Sequence, residues 1–422
     1  MVAADAALKI RGEVPTTGAS LHRIARTGPA GDAVPPILET FVKNSLSVAI
    51  AATLILAAAS AQAEVRVSGF GQVVAGATTG EGERFPQSAY TDEVSFKEES
   101  LFAVQVDSTL NDRVSVTGQV LARGHEDFDA ELAWAYANVT LGKGWSMKAG
   151  RQRTPFYRYS DFLDVGYAYP WIRTPVSMYN QPWSNNDGIS FTHTGYFGDW
   201  YSQLQLVYGH FEGDARFDGY NYDAKLENIV GFAWDGEYNE WLSLRAAYLQ
   251  GDLSVAGTSM DDLAAALQAY GQPGLAAELD YNEDKGSFAN VGFKVDRANW
   301  LVVGEYAITR MDDTAMAGND RADWYLSAGR RFGNVMPHLT WGRRDADVRT
   351  DLLAALPPEH PLYGPVASAA ASEQLDESFV GLGVRWDFAT NVAFKADWTR
   401  YDSRIAEHGD ADMVSTGLVF TF

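Results

Sequence analysis

The sequence predicts an all-β fold: a transmembrane antiparallel β-barrel of about sixteen strands, with one long loop folded into its lumen as a constriction. Three observations carry this reading. Segments of about ten residues with alternating apolar and polar side chains recur along the chain, as a wall between lipid and water requires. The connections between them are short and long in turn, which a barrel with short turns on one side and long loops on the other produces. One stretch of about 35 residues, 151–187, has no usable alternation yet is dense in aromatic and charged side chains, and a loop of that length with that composition is functional, not disordered.

Composition sets the outer bounds. The chain has 422 residues, a formal net charge of −22 and no cysteine. Disulfides, thiolate nucleophiles and cysteine metal sites are excluded, and so strong an acidic balance argues against nucleic acid as a partner. Lys43 precedes an apolar run over 48–59 and then Ala61-Gln62-Ala63. A basic start, a short apolar core and an A-x-A site read as a secretory signal peptide, and the run is too short to span a bilayer as a helix. Residues 42–63 are therefore expected to be the signal, and 64–422 the mature barrel. Residues 1–41 lack periodicity and are read as an extension from a misassigned start, with a cleaved pro-region as the alternative.

The strands are expected at 65–77, 98–109, 113–123, 130–141 and 145–151, then at 188–195, 200–212, 223–234, 241–251, 286–295 and 299–310. The last five fall at 322–332, 335–344, 377–388, 391–401 and 412–422. They have alternating character and are separated by turns. Short links such as 110–112, 142–144 and 333–334 alternate with long ones such as 78–97, 152–187, 252–285 and 345–376. Within 252–285, residues 261–270 have helical spacing.

Alternation also assigns the faces. Val380, Leu382, Val384 and Trp386 alternate with Gly381, Gly383, Arg385 and Asp387, and Leu242, Leu244, Ala246 and Tyr248 with Ser243, Arg245 and Ala247. Only a closed barrel satisfies the backbone of such strands in lipid, so the apolar set faces outward. Trp145, Trp200, Trp234, Trp300, Trp324, Trp341, Trp386 and Trp398 share the outward register near strand ends, as interfacial girdles do. In the early strands the outward set is small: Val104, Val106, Val114, Val116, Val120, Ala133, Ala135, Ala137 and Val139. Such a smooth face suits wall-on-wall packing between subunits of a trimer. Trp134 and Tyr136 compete for the outward register of the fourth strand.

Two motifs resemble a known family. The chain ends Gly417-Leu418-Val419-Phe420-Thr421-Phe422, similar to the assembly signal of Gram-negative outer-membrane proteins, with Phe420 and Phe422 as its carriers. Asn185-Asn186-Asp187-Gly188-Ile189-Ser190-Phe191 followed by Gly198-Asp199-Trp200 resembles the strand after the constriction loop of general diffusion porins. The resemblance covers essentially all of 64–422. It implies a homotrimeric water-filled channel for ions and small hydrophilic solutes, whose partners are itself, outer-membrane lipid and lipopolysaccharide, and the barrel-assembly machinery. The loop lacks a Pro-Glu-Phe-Gly tip and the link 124–129 is short, so the resemblance is to a divergent member.

A lumen selects by width and lining charge. The inward register gives Arg113, Arg123, Lys148, Arg245, Lys294, Arg331, Arg385 and Lys395 as pore-wall bases. The constriction loop adds Arg151, Arg153, Arg158 and Arg173, and the acids Asp161, Asp164 and Asp187. The wall bases Arg113, Arg123 and Lys148 are expected to face the acids Asp161 and Asp164. Acids of the outer loops, among them Asp261, Asp262 and Asp280, follow no calcium-loop pattern, so no metal and no cofactor is expected. An enzyme is the first rival, but no Gly-x-Ser-x-Gly or His-x-x-x-His is present. A channel specific for anions of the phosphate type is the second, and stacked bases on adjacent strands would favour it.

Overall fold

The computed structural model describes residues 64–422 apart from 87, 176, 177, 180, 218, 219, 312–320, 348, 373 and 406–408. The extension and signal expected over 1–63 lie outside the described residues.

Sixteen antiparallel strands close into one barrel in which each pairs with its sequence neighbours and the first pairs with the last. They are β1 (Glu64–Thr78), β2 (Leu101–Asn111), β3 (Val114–Arg123), β4 (Ala130–Gly142), β5 (Trp145–Arg153), β6 (Asn185–Phe197), β7 (Trp200–Phe217) and β8 (Tyr220–Tyr238). The second half comprises β9 (Leu242–Ala256), β10 (Asp284–Arg297), β11 (Trp300–Met311), β12 (Arg321–Arg330), β13 (Val335–Ala346), β14 (Leu375–Ala389), β15 (Val392–Ser403) and β16 (Ala411–Thr421). No helix among the described residues is long and apolar enough to cross a membrane. Closure runs from Phe70 opposite Thr421 to Thr78 opposite Met413. It ends where Gly69 and Phe422 exchange two backbone hydrogen bonds of 2.9 Å. Phe420 and Phe422 stack on the outer face over Gly69 and Gly71, where a Cβ would lie 2.3 Å from Phe422 and 2.8 Å from Phe420.

The expected strands are all present, and the faces follow the alternation. Leu382, Trp386, Leu206, Tyr208, Val291, Leu339 and Trp341 are exposed outward, while Ser243, Arg245, Ala247, Ala393 and Lys395 are buried inside. Trp145, Trp300 and Trp386 are exposed near strand ends, and Trp341 is exposed at the middle of β13. Ala133 departs from expectation. The β3–β4 ladder passes from Gln119 opposite Trp134 to Val120 opposite Leu132, leaving Ala133 as an extra residue. A bulge of this kind turns a side chain to the other face, and Ala133 is 0% exposed against Phe70, Leu101, Ala103 and Leu121. Trp134 and Tyr136 also point inward, toward Arg153 and Lys148 at 6.0 and 5.0 Å.

The long loops carry structure of their own. Helix α1 (Ser259–Ala269) matches the expected helical spacing and starts in a Thr258/Asp261 capping box. It is followed by α2 (Pro273–Ala277), and the link before β14 adds α3 (Thr350–Ala354) and α4 (Tyr363–Ser372). The four helices share one apolar cluster centred on Leu267, Leu279, Leu352 and Val366. Arg349 bonds Glu278 across it at 3.2 Å.

Candidate functional site: the segment that crosses the lumen

The segment between β5 and β6, residues 154–184, leaves the wall at the long-loop end and crosses the lumen to the opposite side. Its polar contacts reach β3, β9, β11, β12, β13, β14, β15 and β16. Close to its root, the Asp164 carboxylate accepts from Arg123 at 3.1 Å and from Arg153. Burial alone would push this carboxyl up, but the two guanidinium groups outweigh it and hold it at about 2. At the start of the segment, the Arg245 guanidinium donates to the Pro155 carbonyl at 2.8 Å. The Arg158 backbone N–H donates to Glu305 at 2.9 Å, and Glu305 also accepts from Tyr325 at 2.8 Å and from Tyr179.

The far wall grips the backbone of the segment. Lys395, 0% exposed, donates to the carbonyls of Gly166, Tyr169 and Trp171. Its cross-strand neighbour Arg385 donates to the carbonyls of Tyr167 at 2.7 Å and Tyr169 at 3.0 Å. Asp397 accepts the Ile172 N–H at 2.7 Å, and the Trp171 indole N–H donates to Thr340 at 2.7 Å. Gly166 permits this approach, since a Cβ there would lie 2.0 Å from Gln72 Oε1. Tyr157, Tyr159, Tyr169, Trp171 and Met178 are buried with Phe288, Tyr325 and Phe379 of the wall in one apolar cluster. Edge-on rings at 5.8 Å join Trp171 to both Tyr159 and Tyr325.

A second loop, before β2, also turns inward. Phe85 and Tyr90 are buried in the same cluster, and the Arg173 guanidinium lies 5.2 Å from the Phe85 ring and 5.7 Å from that of Tyr90. Arg173 is ion-paired with Glu99 and donates to Ser415 at 3.3 Å. Sequence reasoning read this loop as merely long; two aromatics within it were the available signal.

The pore-wall bases divide into three groups. Arg123, Arg245, Arg385 and Lys395 are inside the barrel but are engaged by the crossing segment. Lys148, Lys294 and Arg331 are half-buried on the lumen side toward the short turns, with Lys148 over the Tyr136 ring and Arg331 in a double hydrogen bond to Asp296 at 2.6 and 2.8 Å. Arg113 is not in the wall: it is exposed in the turn before β3. Among the loop residues, Arg158, Asp161, Asp164 and Arg173 belong to the crossing segment, and Asp161 is exposed. Arg153 is the last residue of β5, bound inward to Asp164. Arg151 and Asp187 are corrected: they sit opposite each other in β5 and β6, bonded at 2.9 and 2.7 Å. They share the outward register of exposed Ile189 and Phe191, because the strands run further than the alternation suggested. Inward acids such as Glu305 and Asp397 were overlooked as anchors; their lumen register was the signal.

The lumen half toward the short turns is polar. Asp107 accepts from Thr117 at 2.7 Å and from Gln105 at 2.9 Å, and Gln119 donates to Gln105 at 2.9 Å.

A closed sixteen-stranded barrel entered by a long segment after its fifth strand is the fold of the outer-membrane porins. Solved structures similar to this chain include OmpF of Salmonella typhi in complex with daunomycin, at 15% identity and TM-score 0.55, covering 85% of this chain and 97% of that one. The outer-membrane channel DcaP of Acinetobacter baumannii is similar at 11% identity and TM-score 0.55, over 85% of this chain and 97% of its own. So is an anion-selective porin from Comamonas acidovorans, at 11% identity and TM-score 0.54, over 86% of this chain and 100% of that one. No family model and no curated protein matches the chain.

Proposed function

We propose that this chain is an outer-membrane channel for the passive diffusion of ions and small hydrophilic solutes. The observation that carries the reading is a closed sixteen-stranded barrel with an apolar outer face and a lumen that is polar toward its short turns. A barrel of this strand number is wide enough for an aqueous passage. Lys148, Lys294 and Arg331 of the wall and Asp161 of the crossing segment are the charges proposed to meet a solute. Single-channel conductance of the purified barrel in a planar bilayer, with reversal potential under a salt gradient, tests this. Stepwise opening with weak ion preference supports it; no conductance from a folded barrel overturns it.

A solute-specific, narrower channel is the second reading. It is favoured by the depth to which residues 154–184 and the loop carrying Phe85 and Tyr90 fill the lumen. Small conductance, strong anion selectivity and block by phosphate would select it.

The reading extends to assembly. Export by the signal over 42–63 is checked by sequencing the N-terminus of the mature protein, expected at Glu64. Phe420 and Phe422 are proposed as the mark read by the barrel-assembly machinery, and lipid and lipopolysaccharide as the surroundings of the outer face. The outer face of β1 to β5, with the small side chains of Val104, Val106, Val116, Ala135 and Ala137 among them, is proposed as the contact face of a homotrimer. Cysteines placed on that face of the otherwise cysteine-free chain should crosslink subunits. Monomers alone after oxidation would sink the trimer.

A further inference from the structure

We propose that Lys395 is the positioning residue that keeps residues 155–173 seated across the lumen, and that the seated form is the low-conductance state of the channel. The inference rests on the channel reading above and assigns it a latch. A protonated lysine has three N–H donors and no acceptor. Here three carbonyls of one short stretch, those of Gly166, Tyr169 and Trp171, converge on that single ammonium. A buried cation is tolerated only when its donors are fully met, and backbone carbonyls of the segment meet these.

The stretch docks on β14 and β15, across the barrel from the roots of the segment in β5 and β6. Arg385 adds two more bonds to carbonyls of the same stretch, and Asp397 takes the next N–H, that of Ile172. The wall therefore reads the backbone as a shape: carbonyls toward two cations, then an amide toward a carboxylate. Gly166 and Gln72 are in contact at the floor of this seat. With the stretch in place, solute must pass around a segment whose aromatic side chains are buried in the wall. With it released, the polar cations Lys395 and Arg385 return to the lumen surface.

Lys395→Met removes the three donors and keeps an unbranched apolar stem, one atom shorter. The carbonyls of Gly166 and Trp171 then lose their lysine partner, and that of Tyr169 keeps only Arg385, which favours the released segment. The experiment uses the mature barrel in planar bilayers, with heat-modifiable gel mobility as the check of folding. It compares the natural chain, Lys395→Met, Lys395→Met carrying Gly166→Cys and Gln72→Cys, and a chain in which residues 155–183 are replaced by a short Gly/Ser linker. The expected result is a several-fold rise in conductance for Lys395→Met, approaching that of the linker chain. Oxidation of the cysteine pair should return it to the natural level, and reduction should raise it again. Folded Lys395→Met with unchanged conductance, beside a linker chain that conducts well, overturns the latch and leaves the channel standing. Unchanged conductance on oxidation of a pair shown to be crosslinked also overturns it. A folded linker chain that conducts nothing overturns the channel reading and the latch with it.

Discussion

The crossing segment is held at its two sides by opposite chemistry. Near its root, a charge meets charges: the Asp164 carboxylate lies between the Arg123 and Arg153 guanidiniums. On the far wall, charges meet backbone: Lys395 and Arg385 bind carbonyls, and Asp397 binds an amide. The first arrangement is strong and local, and depends on the protonation of one carboxylate. The second is spread over successive residues and depends on their path. The contrast teaches that one side fixes where the segment starts, and the other fixes how far across it reaches.

The largest effect is expected at the root. Asp164→Ala leaves the Arg153 guanidinium buried without its carboxylate, while Arg123 keeps Glu131, and removing one partner of such a buried pair costs about 3–5 kcal/mol. Amide exchange or limited proteolysis of the segment should show loss of protection first at residues 160–164. Equal loss in Asp164→Ala and Lys395→Met, residue by residue, would erase the distinction between the two sides.

Acid gives the next effect. The Asp164 carboxyl is held at about 2, below its unfolded value of about 3.9. A depressed carboxyl contributes stability that is present above the unfolded value and is lost as pH falls through the folded one. The root should therefore hold from neutral pH to about pH 4 and release by about pH 2, with about 2–3 kcal/mol at stake. Loop protection followed against pH checks this. Release complete at pH 5 would mean that another group holds the root.

The same contrast explains what was legible in the sequence. Wall strands announce themselves because lipid on one side and water on the other force a period of two, so Leu382 and Arg385 could be assigned to opposite faces by counting. The count fails where the backbone adds a residue, and Ala133 shows nothing in its type that marks a bulge. It also fails at strand ends: Arg151 and Asp187 pair across β5 and β6 on the outer face, and their charge made them look like loop residues. The root of the segment was half legible, since Asp164 and Arg123 were both expected in the lumen facing each other. The far side was not. Every residue carries a carbonyl, so nothing in Gly166, Tyr169 or Trp171 distinguishes them as acceptors until the path of the chain is known.

The smallest effect tests the far side by a neutral bond. Trp171 is buried, and its indole N–H donates to Thr340 at 2.7 Å and to Ser327 at 3.2 Å. Trp171→Phe keeps an aromatic ring beside Tyr159 and Tyr325 but removes the donor. Ser327 and Thr340 still bond each other at 2.8 Å, so the acceptors are not wholly abandoned. The cost should be about 1 kcal/mol, that of one neutral hydrogen bond. Protection should fall modestly around residues 169–173 and stay unchanged around Asp164. A loss as large as that from Asp164→Ala would mean that the indole, not the pair of wall cations, anchors the far side, and the latch would move from Lys395 to Trp171.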